Sequence, residues 1–172
     1  MHITIINDCR DENARGRQTA RASSLLSSPV SFVGVGSDLE ASGNIIDVLD
    51  AYGEEPGVIL VNVAPRNGPA KKWENGTPFG YFWYKKVLVV SSIDGLTLSF
   101  VKKLKLVDSV NVFDIPEVVK FMVENKSISP ETGNHIINTQ FRSYDFLPRV
   151  AALILQNKDV PFVEYGIDSF SD

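Results

Sequence analysis

The chain has 172 residues, 44% of them hydrophobic and 22% charged, with a formal net charge of −4. That length fits one domain able to bury about 70% of its unfolded surface. The composition excludes a disordered chain, and the acidic balance argues against a protein built to grip a nucleic-acid backbone.

His2 to Ile6 is β-branched and reads as a strand, with Asn7-Asp8-Cys9 at its carboxyl end. A strand-like start with no hydrophobic leader pattern makes a signal peptide unexpected, and no apolar run approaches the ~20 residues of a membrane helix. Cys9 is the single cysteine, so no internal disulfide can form. A reducing, cytoplasmic location away from membranes is expected. Asp11 to Leu26 reads as a helix whose first-turn acids face the positive end of its dipole. Ser27-Ser28-Pro29 stops it. Val30 to Val35 is a second strand, Gly36-Ser37-Asp38 a turn, and Asn44 to Tyr52 a short helix ended by Gly53 to Gly57.

Val58 to Val63 is a nearly unbroken apolar run, the pattern of a strand buried on both faces at the centre of a sheet. The strand, helix, strand, helix, strand order predicts a parallel sheet with right-handed crossovers. Ala64-Pro65-Arg66-Asn67-Gly68 leaves the central strand as a turn, because Pro fixes φ and Asn-Gly tolerates positive φ. Ligands of open α/β sheets bind at such exits, so residues 64–72 form the first candidate site wall, with an ordinary surface turn as the competing reading.

Trp73 to Gly80 reads as a polar loop. Gly80 to Tyr84 and Val87 to Val90 form a hairpin through Lys85-Lys86, and the aromatic run is read as core or interface packing ahead of a base-stacking platform. Ser91 to Gly95 is another strand exit, Leu96 to Leu104 a helix, Ser109 to Phe113 a strand, and Pro116 to Glu124 a helix with an early proline. Residues 126–138 are ambiguous. Ser143 or Asp145 caps a final helix that carries Pro148 in its first turn and runs to Leu155. Residues 156–172 are read as a polar tail that docks on a neighbouring subunit. No internal repeat or linker divides the chain, so residues 1–172 are taken as one domain.

Four exit segments taken together resemble one family. Ile5-Ile6-Asn7-Asp8, Ala64-Pro65-Arg66-Asn67-Gly68, Asp94-Gly95-Leu96-Thr97, and Phe141-Arg142-Ser143-Tyr144-Asp145 followed by Val150-Ala151-Ala152 occur in order over roughly residues 2–155. In this the chain resembles the N-terminal domain of the S-adenosylmethionine hydroxide adenosyltransferases and their fluorinase and chlorinase relatives. The resemblance implies a three-layer α/β/α sandwich with a central, mostly parallel sheet, assembled as a homotrimer. It also implies a site at subunit interfaces where a nucleophile displaces methionine from the ribose 5′ carbon of S-adenosylmethionine.

The departures from the family bear on function. The family's C-terminal β-rich domain, which helps hold adenine, has no counterpart in this sequence. Uncovering ~100 Å² of ring surface costs about 2.5 kcal/mol, nearly a hundredfold in affinity. The hydrolases surround the attacking water with an Asp, an Arg and a His. Here the Asp position is Ala64, the Arg matches only Lys71 or Lys72, and the His is Arg142, which has no acceptor. A guanidinium ~4 Å from a sulfonium would repel it by about 4 kcal/mol at an effective dielectric of 20, whereas Arg142 with Arg66, Lys71 and Lys72 would suit an anion. Ser143 stands at the fluorinase's halide-contacting serine, but that enzyme's tyrosine also falls on Ala64. Asp8 matches the carboxylate that accepts from ribose hydroxyls, with a strand-end cap as its competing reading. Methionine-gripping residues would fall near Asp11, Glu12 and Asn13.

The expected ligand contacts are therefore Asp8, Asp11, Asn13, Ala64, Arg66, Asn67, Asp94, Phe141, Arg142 and Ser143. Lys72, Asp94, Arg142 and Ser143 are the candidates for any surviving catalysis. The expected ligand is a small nucleoside-type molecule, S-adenosylmethionine or adenosine, with no cofactor and no metal. The leading reading is a divergent adenosine-ligand binder whose displacement reaction is weak or lost. The alternatives are an active S-adenosylmethionine hydrolase releasing adenosine and methionine, and a non-catalytic structural oligomer. Cys9 with His2 or His135 as base is set against a buried small hydrophobe, which is preferred. Gly34-Val35-Gly36 lacks the third glycine of a dinucleotide loop and an immediate helix. The Arg10, Arg15, Arg17 and Arg21 run is read as a solvated face ahead of an anion site.

Overall fold

In the computed structural model, which describes residues 1–64, 78–139 and 141–171, seven strands form one sheet. They are β1 (His2–Asn7), β2 (Val30–Gly34), β3 (Gly57–Asn62), β4 (Phe79–Tyr84), β5 (Val87–Ser92), β6 (Ser109–Val112) and β7 (Val163–Gly166). Their order is β2-β1-β3-β5-β4-β6-β7. The centre is parallel through β2, β1, β3 and β5, and the pairings from β5 outward are antiparallel. The helices are α1 (Glu12–Leu26), α2 (Asp38–Tyr52), α3 (Ser99–Lys103), α4 (Ile115–Glu124), α5 (Pro130–Asn138), α6 (Arg142–Asp145) and α7 (Leu147–Leu155).

The apolar run of β3 holds its expected place between β1 and β5, with Val58, Ile59, Leu60 and Val61 at most 2% exposed. Strand alternation divides it between two cores. Val58 and Leu60 join Ile3, Ile5, Phe79 and residues of α4, α5 and α7, while Ile59 and Val61 join Ile6, Phe82 and residues of α2 and α3. Full burial of each such side chain is worth about 1.5–3 kcal/mol. The aromatic run of β4 is packed on both faces. Tyr81 stacks on Phe113 with centroids 5.3 Å apart, Phe82 lies in the second core, and Trp83 is exposed.

Several boundaries differ from those expected. α2 begins at Asp38, six residues before Asn44, because Ser37 Oγ accepts from Glu40 N at 3.1 Å and Glu40 Oε2 accepts from Gly36 N at 2.6 Å. That pairing resembles a capping box and carries the helix through Gly43. The helix expected over 96–104 is only the short α3. The ambiguous stretch contains α5, capped by Ser129 and opened by Pro130. The expected final helix is two helices broken at Phe146, and neither Ser143 nor Asp145 caps it; both lie inside α6. The C-terminal tail pairs with the chain's own sheet, β7 lying antiparallel to β6, and continues into a 3-10 turn over Ile167–Ser169.

Gly80 sets the spacing between β4 and β6. A Cβ there would stand 2.8 Å from the Asn111 backbone oxygen and 3.0 Å from Val110 Cγ1. A paired strand's backbone cannot swing aside as a flexible side chain does. Gly80→Ala is therefore expected to lower unfolding stability by about 2 kcal/mol in urea titration. Gly16→Ala, in α1 with nothing within 4 Å, is expected to raise it by about 0.5–1 kcal/mol.

Candidate ligand site at the carboxyl ends of the strands

β3 ends at Asn62, and side chains from both neighbouring exits take the next two backbone donors. Val63 N donates to Ser92 Oγ of β5 at 3.1 Å, and Ala64 N donates to Asp8 Oδ2, just past β1, at 3.2 Å. Asn7 is fully buried; its Nδ2 donates to Gln18 Oε1 of α1 at 2.8 Å and its Oδ1 accepts from Cys9 N at 2.7 Å. Leaving such a buried amide unmatched costs about 1–3 kcal/mol, so this network fixes where the chain turns out of β1. The chain leaving β1 returns at β2 on one side, and the chain leaving β3 returns at β4 and β5 on the other. Neighbouring parallel strands whose connections part in opposite directions leave a crevice between their exits. Asp8 and Ala64 flank it.

The structure distributes the expected site residues unevenly. Asp8 and Ala64 are in direct contact, so the strand-end role of Asp8 is realised. Asp11 caps α1, accepting from Ala14 N at 3.0 Å, and Asn13 is exposed in that helix's first turn. Arg66, Asn67, Lys71 and Lys72 lie outside the described residues. Phe141 is 55% exposed, whereas Arg142 and Ser143 are buried in α6, which packs on α1 and β3. Burial pushes the Arg142 guanidinium below its ordinary pKa, and its Nε has no hydrogen-bond partner among the described residues.

Asp94 falls elsewhere. It lines a cavity of about 560 Å³ that opens over the exits of β5 and β6 and the C-terminal tail. Burial pushes its carboxyl from 3.8 to about 6, its own backbone N–H offsets part of that, and the charge of Asp38 adds to it. Asp38 is itself fixed, accepting from Leu39 N and, at 2.8 Å, from Leu96 N.

Sequence reasoning missed a cluster on α1 and α6. The guanidinium groups of Arg17 and Arg21 lie 4.9 and 4.4 Å from the centre of the Tyr144 ring, and Arg21 Nη2 donates to the Tyr144 hydroxyl at 2.6 Å. That hydrogen bond draws the Tyr144 pKa below its ordinary value. The i, i+4 spacing of the two arginines was the available signal, but nothing local named the ring they would share. Two of the four arginines thus pack on Tyr144, and Arg15 lies over Phe32 at 5.4 Å, so the run is more than a solvated face.

Cys9 is exposed, against the expected buried hydrophobe, because it sits past the end of β1 in the turn that Asn7 Oδ1 closes. His2 Nε2 pairs with Ser31 Oγ at 2.8 Å and His135 Nε2 with Asp145 Oδ2 at 3.2 Å, which engages both histidines away from Cys9. α2 begins two residues after Gly36, and the backbone donors at its start are taken by side chains rather than left for a phosphate: Gly36 N donates to Glu40 Oε2, Leu39 N to Asp38 Oδ1 and Glu40 N to Ser37 Oγ. Among the described residues no group of three His, Cys, Asp or Glu is placed to hold a metal, and no helix is long and apolar enough to cross a membrane.

No protein-family model and no curated protein matches the chain. Among solved structures it is similar to an uncharacterized conserved protein from Thermotoga maritima, with a TM-score of 0.61 at 14% identity, over 95% of this chain. The chain spans 59% of that protein's length. At this identity the likeness shows the fold alone: a mixed α/β arrangement around a sheet parallel at its centre.

Proposed function

We propose that the chain is a divergent relative of the S-adenosylmethionine hydroxide adenosyltransferases. It binds an adenosine-containing small molecule at the exits of β1 and β3, and the displacement reaction is weak or lost. The reading takes the two cores as the inner faces of a three-layer α/β/α sandwich and places the chain in a homotrimer. The observation that carries it is the Asp8–Ala64 contact across the crevice where the β1 and β3 connections diverge. There a carboxylate accepts from the ribose diol, and α6, which carries Arg142 and Ser143, packs on β3.

The chemistry of the described groups favours binding over turnover. The Ala64 side chain is a methyl group and accepts no proton. Arg142 is a donor only. Asp94, the carboxyl that burial raises toward neutrality, belongs to the cavity over β5 and β6. General-base activation of water needs an acceptor within hydrogen-bond reach, and these three residues provide none at the crevice.

Calorimetry with adenosine, its phosphates and S-adenosylmethionine tests the binding. At least one is expected to give saturable heat, with affinity reduced tenfold or more by Asp8→Ala, the scale of a lost charge-assisted hydrogen-bond pair. Incubation with S-adenosylmethionine is expected to release adenosine no faster than buffer. Turnover well above that control and abolished by Asp8→Ala would replace this reading with the active hydrolase. Absence of heat with every ligand would leave the structural oligomer.

A further inference from the structure

α1 carries positive charge toward α6 and α7. Arg17 and Arg21 stand four residues apart, on one face of that helix. Arg15 pairs with Glu12 at 3.1 Å, whereas Arg17 and Arg21 both reach across to Tyr144 of α6, 4.9 and 4.4 Å from its ring centre. Arg21 Nη2 donates to the Tyr144 hydroxyl at 2.6 Å. A hydroxyl that accepts a hydrogen bond keeps its own proton to donate. Two guanidinium groups and a phenol O–H are therefore gathered at one ring, with Arg17 exposed and Arg21 and Tyr144 half-buried. Arg149 of α7 adds a third guanidinium. Burial holds its pKa below the ordinary value, the charge of Arg21 adds to that, and Asp145 and Tyr144 act the other way. Asp145 is itself engaged by His135 Nε2 at 3.2 Å. Like charges this close repel one another; the aromatic face offsets part of that, and an anion shared between them would relieve the rest.

We infer that Arg17, Arg21 and the Tyr144 hydroxyl form a binding site for a phosphoryl group, with Arg149 adding charge beside it. Planar guanidinium forks match phosphate oxygens two at a time. The hydroxyl supplies a further donor from a separate element. That set suits a tetrahedral dianion better than a planar, singly charged carboxylate. None of these groups takes part in the Asp8–Ala64 contact, so the site stands independently of adenosine recognition. A phosphoryl group arrives either as the free ion or on an ester.

Amide and arginine Nε chemical-shift titrations of the full chain, in chloride buffer at fixed ionic strength, test the site with inorganic phosphate, methyl phosphate and acetate. At least one of the two phosphates is expected to give saturable shifts at Arg17, Arg21 and Tyr144, with Kd on the order of 1 mM or tighter. Acetate is expected to bind about tenfold more weakly or less. Tighter binding of methyl phosphate assigns the site to esters, and tighter binding of phosphate assigns it to the free ion. Arg21→Gln is expected to weaken the better phosphate about tenfold or more, and Tyr144→Phe, which keeps the ring, by a smaller factor. Neither variant is expected to change the response to adenosine. Cooperative thermal unfolding of each variant checks that it folds. No saturable shift with either phosphate, equal affinity for acetate, or wild-type affinity in folded Arg21→Gln would overturn the inference.

Discussion

Phe146→Ala is expected to cost about 3–5 kcal/mol of unfolding free energy, the range for deleting a buried aromatic ring from a packed core. Phe146 is fully buried, set edge-on to Phe113 with centroids 5.8 Å apart and tilted against Phe79 at 6.2 Å. It is also the residue at which α6 gives way to α7. Phe79 opens β4 and Phe113 follows β6, so the ring fastens the α6–α7 junction to both strands. Its loss is expected to loosen α6 as well as the core, faster amide exchange at residues 142–145 accompanying the lower urea midpoint. A midpoint shifted without faster exchange there would show that α6 is held by its contacts with α1 and β3 instead.

Asp94→Asn is expected to stabilise the protein above about pH 6 and to flatten its stability profile below that. Asp94 has an ordinary value of 3.8, taken for the unfolded chain, and a value of about 6 in the folded protein. The folded state therefore holds more protons between those values, and stability falls as pH rises through that window. At ~1.4 kcal/mol per pH unit the full interval would be worth about 3 kcal/mol, and solvent reaching a partly open cavity reduces this to roughly 1–2 kcal/mol. Asp38 and Asp114 face the same region and remain in the variant. Urea titrations from pH 4 to 8 check the expectation. A wild-type profile that rises across this window, or that keeps its slope in the asparagine variant, would contradict it.

The sheet's centre was legible because β1 and β3 are short runs of β-branched and aliphatic residues, where local propensity and burial agree. The β4–β5 hairpin was legible from its two flanking apolar runs, although Lys85 takes a positive φ of 52° where a glycine or asparagine is the usual choice. β7 was not legible. Its Val163 and Tyr165 are exposed, its Glu164 is polar, and only pairing with β6 makes it a strand. The break at Phe146 was hidden for a similar reason, since a ring buried by partners some 30 to 70 residues away in sequence leaves no local signal. At the site, the exits carrying Asp8 and Ala64 followed from strand order and the rule for open sheets. Asp94 was named, but its company was not: the cavity around it is assembled from residues 78 to 171, and its aromatic walls come partly from a tail whose place in the sheet could not be read.

The most direct measurement is an amide chemical-shift titration of the full chain with adenosine. Saturable shifts are expected, concentrated at Asp8, Cys9 and Ala64 and at Phe141 to Ser143, and lost in Asp8→Ala. Shifts confined to the β5, β6 and tail region, or none at millimolar adenosine, would contradict the proposed site.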